Sequence, residues 1–251
     1  MSGMELFKSF PLEVYNNYAK ESDFPLLPGK GKNHCVLLGN TKRLWGPFIQ
    51  SLDKSSMQEH PINEFCFGLI HQKLKKNDLP VLDVRFPDDK KEKFVNFQKI
   101  CHLSGLAYLN ENCHLCVHGN YNLNLVFSSS LAEFGPWIAL RAVIVFDFIL
   151  PDFKYSNDAQ INPFPEGDVK LRQQMEKFYQ LLKKEHTKSE INDVLLEVRN
   201  IAGIVSIFTP FELFFIVQKG EFLTNINEIK YSPEQISYHY TKDKQILFNA
   251  P

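Results

Sequence analysis

The apolar run Cys35-Val36-Leu37-Leu38 is continuous rather than alternating, the pattern of a strand covered on both faces, and Gly39-Asn40 ends it. Between Asn63 and Lys76 the apolar positions Phe65, Phe67, Leu69, Ile70 and Leu74 fall at helical spacing. A lysine-rich tail suits the C-terminal dipole of that helix, and Asp78 breaks it. Leu79 to Phe86 then reads as a strand. Lys91 to Leu103 reads as a helix with Phe94, Phe97, Ile100 and Cys101 on one side and Gly105 as its cap. Upstream, residues 5 to 20 predict a helix interrupted by Pro11, and Phe24 to Gly29 an extended entry ending in a turn.

Beyond Gly105 the pattern turns to strands. Leu106 to Leu109, the alternating stretch 122 to 127 and the long apolar stretch Trp137 to Leu150 predict neighbours in a largely antiparallel sheet, the last of them central. Pro151 to Gly167 is the clearest connector. Residues 168 to 200 carry dense charge at helical spacing, and Ser232-Pro233 places a cap and a first-turn proline before a last helix over 233 to 242. Helices flanking one antiparallel sheet make the fold class α+β. The expected organisation is a sheet-and-helix cofactor-binding body at 1–153, then a helical or mixed continuation at 154–251 packing on the same domain.

With 44% apolar and 23% charged residues in 251, the chain has material for a folded core. A net charge of -1 removes the basic footprint of a protein that neutralises many phosphates, so nucleic acid is not expected as a partner. No membrane partner is expected either. The apolar stretch 201–217 is short for a span, and Glu212 inside it would cost about 2.5–3.5 kcal/mol there. Five cysteines at no repeating spacing fit a reduced compartment, and Glu5, Lys8 and Glu13 interrupt any signal-like run, so the expected location is cytoplasmic.

Several motifs could carry chemistry. Cys113-His114-Leu115-Cys116 is half of a tetrahedral zinc site with no second pair to close it, and is read as a turn between strands; no metal is expected. Gly29-Lys30-Gly31-Lys32 lacks the third glycine of a dinucleotide loop and reads as a turn. No nucleophile elbow surrounds Ser128-Ser129-Ser130. Arginine is scarce, five against twenty-three lysines, so Arg141 inside an apolar strand is informative. Its guanidinium must find a carboxylate such as Asp83 or Asp147, a phosphate, or several carbonyls. His102 beside Cys101 reads either as a satisfied core histidine or as a ligand contact.

Two runs carry a family resemblance: Lys99-Ile100-Cys101-His102-Leu103-Ser104-Gly105-Leu106-Ala107-Tyr108, and Phe134-Gly135-Pro136-Trp137-Ile138-Ala139-Leu140-Arg141-Ala142-Val143. With Trp45 to Leu52, Ile149 to Asp152 and Tyr231 to Gln235, they make the chain similar to a divergent cblC-type cobalamin-processing protein, of the cyanocobalamin reductase and alkylcobalamin dealkylase family. The resemblance implies a flavin-nitroreductase-like antiparallel sheet flanked by helices, with a helical insertion toward the C-terminus. It further implies a large apolar cavity for cobalamin with its lower base detached, and removal of the upper-axial ligand with FMN as reductant. Glutathione would serve dealkylation.

Carried over residue by residue, Gln98 and His102 would face the cofactor from a helix. Tyr108, Leu109 and Asn110 would lie on the pocket strand, and Ser129 and Trp137 would join the wall with Phe94, Phe97 and Leu106. Leu140 would lie along the corrin or flavin beside Arg141, the expected catalytic residue. Of three arginines that hold glutathione in the family, only Arg141 matches; the other positions fall near Phe222 and Ile246, with Lys242 and Lys244 close by. The resemblance also implies a cblD-type protein partner, and the insertion would offer a homodimer surface. The other reading is a non-catalytic cobalamin chaperone or scaffold of the same fold.

Overall fold

His34–Asn40 forms strand β2, buried nearly throughout, because it lies inside the sheet with a helical layer on each face. The computed structural model describes residues 3–87, 95–106, 138–155 and 230–250, the backbone alone of 108–110 and 115–117, and single positions between 173 and 197. Around β2 the sheet runs β1-β2-β6-β3, with β1 Met4–Pro11, β3 Val81–Arg85 and β6 Ala139–Phe146, every pair antiparallel. The expected α+β class with an antiparallel sheet flanked by helices is what the chain adopts.

Alternation along β2 and β6 sorts the two faces. Cys35, Leu37, Val143 and Val145 look toward helices α1 (Leu12–Glu21) and α4 (Phe97–Leu103), where Phe10, Tyr15, Phe97, Ile100 and Leu106 fill the interior. Val36, Ala142, Ile144 and Phe146 look toward Ile70 and Leu74 of α3 (Pro61–Lys76). A third apolar cluster joins Phe48 and Ile49 of α2 (Trp45–Ser51) to Tyr238 of α5 (Pro233–Thr241) and Leu247 of α6 (Lys244–Asn249).

Local signals explain most boundaries. Asp78 is left-handed (φ 47) just past α3, and Asn96 accepts from the Lys99 amide at 2.9 Å to cap α4. Gly105 (φ 75) closes that helix, its amide and that of Leu106 bonding back to His102 and Cys101. Ser232 caps α5 through the Gln235 amide at 3.2 Å. Thr187 and Glu190 form a reciprocal capping box, and the described positions from 190 to 197 are helical, as the charged 168–200 stretch predicts.

Three expectations need correction. Met4–Pro11 is a strand, because pairing with β2 from Met4↔Asn40 to Pro11↔His34 overrides the local helical pattern; the helix begins only at Leu12. Leu106 is a buried turn residue, and Tyr108–Asn110 (β4) pairs with Leu115–Val117 (β5) in a separate two-stranded sheet. Cys116 therefore stands in a strand, opposite Leu109. The helix α6 had no expectation attached; Asp243 caps it by accepting from the Gln245 amide at 2.9 Å. The alternating stretch 122–127, the apolar stretch 201–217, Cys113 and Ser129 lie outside the described residues.

Candidate functional site

Strand β6 carries one residue more than β2 at a single point. Leu38 pairs with Ala142 and Gly39 with Leu140, so Arg141 is the extra residue of a β-bulge. Strict alternation from Val143 and Val145 would send Arg141 to the α1/α4 face. The bulge leaves Leu140 packed against that face and turns Arg141 to the α3 side.

There the guanidinium meets two amides. Nε donates to Oδ1 of Asn40 at 2.5 Å and Nη1 to Oδ1 of Asn63 at 2.6 Å. Asn40 is the last residue of β2 and is buried to 1% exposure; its Nδ2 donates to the Thr41 carbonyl at 3.2 Å, which sets the amide with its oxygen toward Arg141. Asn63 lies in the first turn of α3. Of the alternatives for Arg141, the carboxylate is not found among the described residues: Asp83 pairs with Arg85 at 2.5 Å. Two of the five guanidinium N–H groups are thus taken, which leaves three for a ligand.

Arg141 and Asn40 line a small open pocket with Trp45, Ile62, Tyr231, Gln235, Tyr238, His239 and Lys242. Its volume of about 10 Å³ is room for about one water. Among the described residues no carboxylate lines it, whereas Arg141, Lys242 and His239 bring positive or protonatable groups. Lys242 is delivered by the left-handed C-cap of α5 (φ 58), its ammonium 5.8 Å from the Tyr238 ring centroid. The Arg141 charge is felt nearby: burial raises the Cys66 thiol and the Tyr238 hydroxyl in pKa, and Arg141 pulls both partly back. The arrangement can receive an anionic group; a tetrapyrrole is far too large for it.

The expected site residues are distributed as follows. Gln98 is exposed and His102 half-buried on α4, whose apolar residues pack on the opposite sheet face from α3. Tyr108, Leu109 and Asn110 form β4 without described side chains, while Ser129, Trp137 and Phe94 lie outside the described residues. Phe97 and Leu106 are buried in the first-face interior. Arg141 is therefore brought together with Asn40, Asn63, Trp45 and Lys242 rather than with Gln98 and His102. The pattern gave no signal for Asn40 or Asn63; for Lys242 the only hint was its nearness to a lost arginine position. Among the described residues no cluster of three or more His, Cys, Asp or Glu side chains could hold a metal ion, and no helix is long and apolar enough to cross a membrane.

No protein-family model matches the sequence, and no curated protein matches it. The fold nonetheless has solved counterparts, in the class of α+β proteins whose antiparallel sheet is flanked by helices. Among them is the Caenorhabditis elegans B12-trafficking protein CblC, a homologue of human MMACHC. The chain is similar to it with a TM-score of 0.59 and 17% identity, over 98% of this chain and 89% of that one. At that identity the likeness is one of fold.

Proposed function

We propose that this chain binds cobalamin and takes part in its processing or trafficking. The observation that carries the reading is the likeness of fold to a B12-trafficking protein over 98% of the chain. The runs Lys99 to Tyr108 and Phe134 to Val143, which resemble the cblC-type family, support it from the sequence. Cobalamin is the substrate in this reading, and the finer form of the activity is removal of its upper-axial ligand. Arg141 would receive the carboxylate of an anionic thiol such as glutathione, since a charge-assisted hydrogen bond is strong where water is scarce.

FMN would supply the electrons for that removal when bound. No step is derived through the flavin. Phe222 and Ile246 near the family's other arginine positions favour the chaperone or scaffold form as the second reading.

Mixing saturating protein with cyanocobalamin or hydroxocobalamin tests the proposal. The expected result is the absorbance change that accompanies detachment of the lower base; an unchanged spectrum refutes binding of this kind. Consumption of cyanocobalamin under FMN and a reductant then separates the enzyme from the scaffold, which would bind and not turn over.

A further inference from the structure

A guanidinium taken from water usually meets a carboxylate, which neutralises it. Arg141 instead meets the amide oxygens of Asn40 and Asn63, at 2.5 and 2.6 Å, and both acceptors are uncharged. Among the described residues the pocket around it contains no carboxylate, and it adds Lys242 and His239. Asn63 belongs to the first turn of the sixteen-residue α3, the positive end of its dipole. Glu64, the acid of that turn, is exposed and does not line the pocket. Carboxylates at 40 or 63 would hold the side chain as well in geometry while cancelling the charge. The choice of amide therefore has an electrostatic consequence separate from its structural one.

We infer that Asn40 and Asn63 are positioning residues that aim Arg141 through neutral acceptors, leaving its whole charge for an anionic group on the ligand. The site then prefers a carboxylate-bearing thiol to a neutral thiol of the same size. This rests on the proposed function only in taking a thiol as the ligand class; the charge argument is independent of cobalamin. Asn40 contributes the rigid half, since its amide is oriented by the Thr41 carbonyl and buried. Asn63 contributes the half that can be changed without opening the core.

The test titrates wild type, Asn63→Asp and Asn63→Ala with 3-mercaptopropionate and with its neutral methyl ester, by calorimetry and by quenching of Trp45, which lines the pocket. An acid in the first turn of a helix is favourable, so Asn63→Asp should melt at or above the wild-type temperature. Wild type should prefer the acid to the ester by about tenfold or more at low ionic strength. Asn63→Asp should bring that ratio close to one. Asn63→Ala should weaken binding of the acid yet keep a clear preference for it, because the charge remains while its aim is lost. A wild-type ratio near one, or an undiminished ratio in folded Asn63→Asp, overturns the inference. Cobalamin spectra of the same samples keep the two proposals apart. If the lower base stays attached while Asn63→Asp still erases an acid preference, the cobalamin reading fails and the positioning role stands. If the base detaches while all three proteins treat acid and ester alike, the reverse holds.

Discussion

Replacing Arg141 with methionine removes every guanidinium donor while keeping most of the side chain's apolar stem. Two acceptors lose their partner. Oδ1 of Asn40 sits on a residue exposed to only 1%, so it has little water to turn to, and an orphaned buried acceptor costs about 1–3 kcal/mol. Oδ1 of Asn63 is half-buried and can rehydrate, so its share is smaller, about 0.5 kcal/mol. Relief from desolvating a cation works in the opposite direction. The net expectation is a loss of about 1–2 kcal/mol, and at this chain length each kcal/mol lowers Tm by about 2–4 °C. Urea unfolding followed by tryptophan fluorescence and far-ultraviolet dichroism measures it. The sharper measurement adds Asn40→Ala alone and both changes together. Removing both partners leaves no orphan at position 40, so the double variant should be less destabilised than the sum of the singles by about 0.5–2 kcal/mol. Strict additivity, with Arg141→Met as stable as wild type, would refute the account of a guanidinium clamped by the bulge.

Further predictions concern the body of the fold. His34 is buried among Phe146, Phe148 and Phe153, and burial lowers its pKa. The unfolded chain thus takes up a proton first as pH falls below about 6.5, so the stability His34 contributes is present above that value and lost as acid titrates the folded imidazole. His34→Phe should flatten the fall in unfolding free energy between neutral and mildly acid pH; equal slopes in both proteins would contradict this. Cys35, whose thiol burial pushes up to about 12, and the buried Cys66 and Cys101 should resist iodoacetamide in the native protein and react once urea unfolds it, as peptide mapping can check. Gly29 has φ 125, and a Cβ there would stand 3.0 Å from Leu12 Cδ2 and Leu82 Cδ1. Gly29→Ala should therefore cost about 1–3 kcal/mol, and an unchanged unfolding midpoint would show that the turn adopts another conformation.

Much of the scaffold was legible because its signals are local. The unbroken apolar run around Leu37 marks a strand covered on both faces, and β2 is that strand. Helix α3 follows its periodicity to Lys76, and Asp78 turns the chain where the pattern stops. Ser232 followed by Pro233 announces the start of α5. Arg141 drew notice from composition alone, as a rare cation within an apolar strand. Met4–Pro11 was misread because its own residues permit helix; only hydrogen bonding to β2, more than twenty residues away, makes it a strand.

The candidate site belongs to the same non-local class. A single supernumerary residue in β6 decides which sheet face Arg141 meets, and that residue is identified only by the register of a strand a hundred positions upstream. Asn40 and Asn63 are unremarkable in sequence, as asparagines at the end of a strand and in the first turn of a helix. Sequence alone determined that a half-polar, half-apolar chain would build helices around an antiparallel sheet, and that an arginine in its midst needed acceptors. Tertiary structure decided that those acceptors are neutral, since strand register and helix docking set side-chain direction, and neither is written in the periodicity of any one segment.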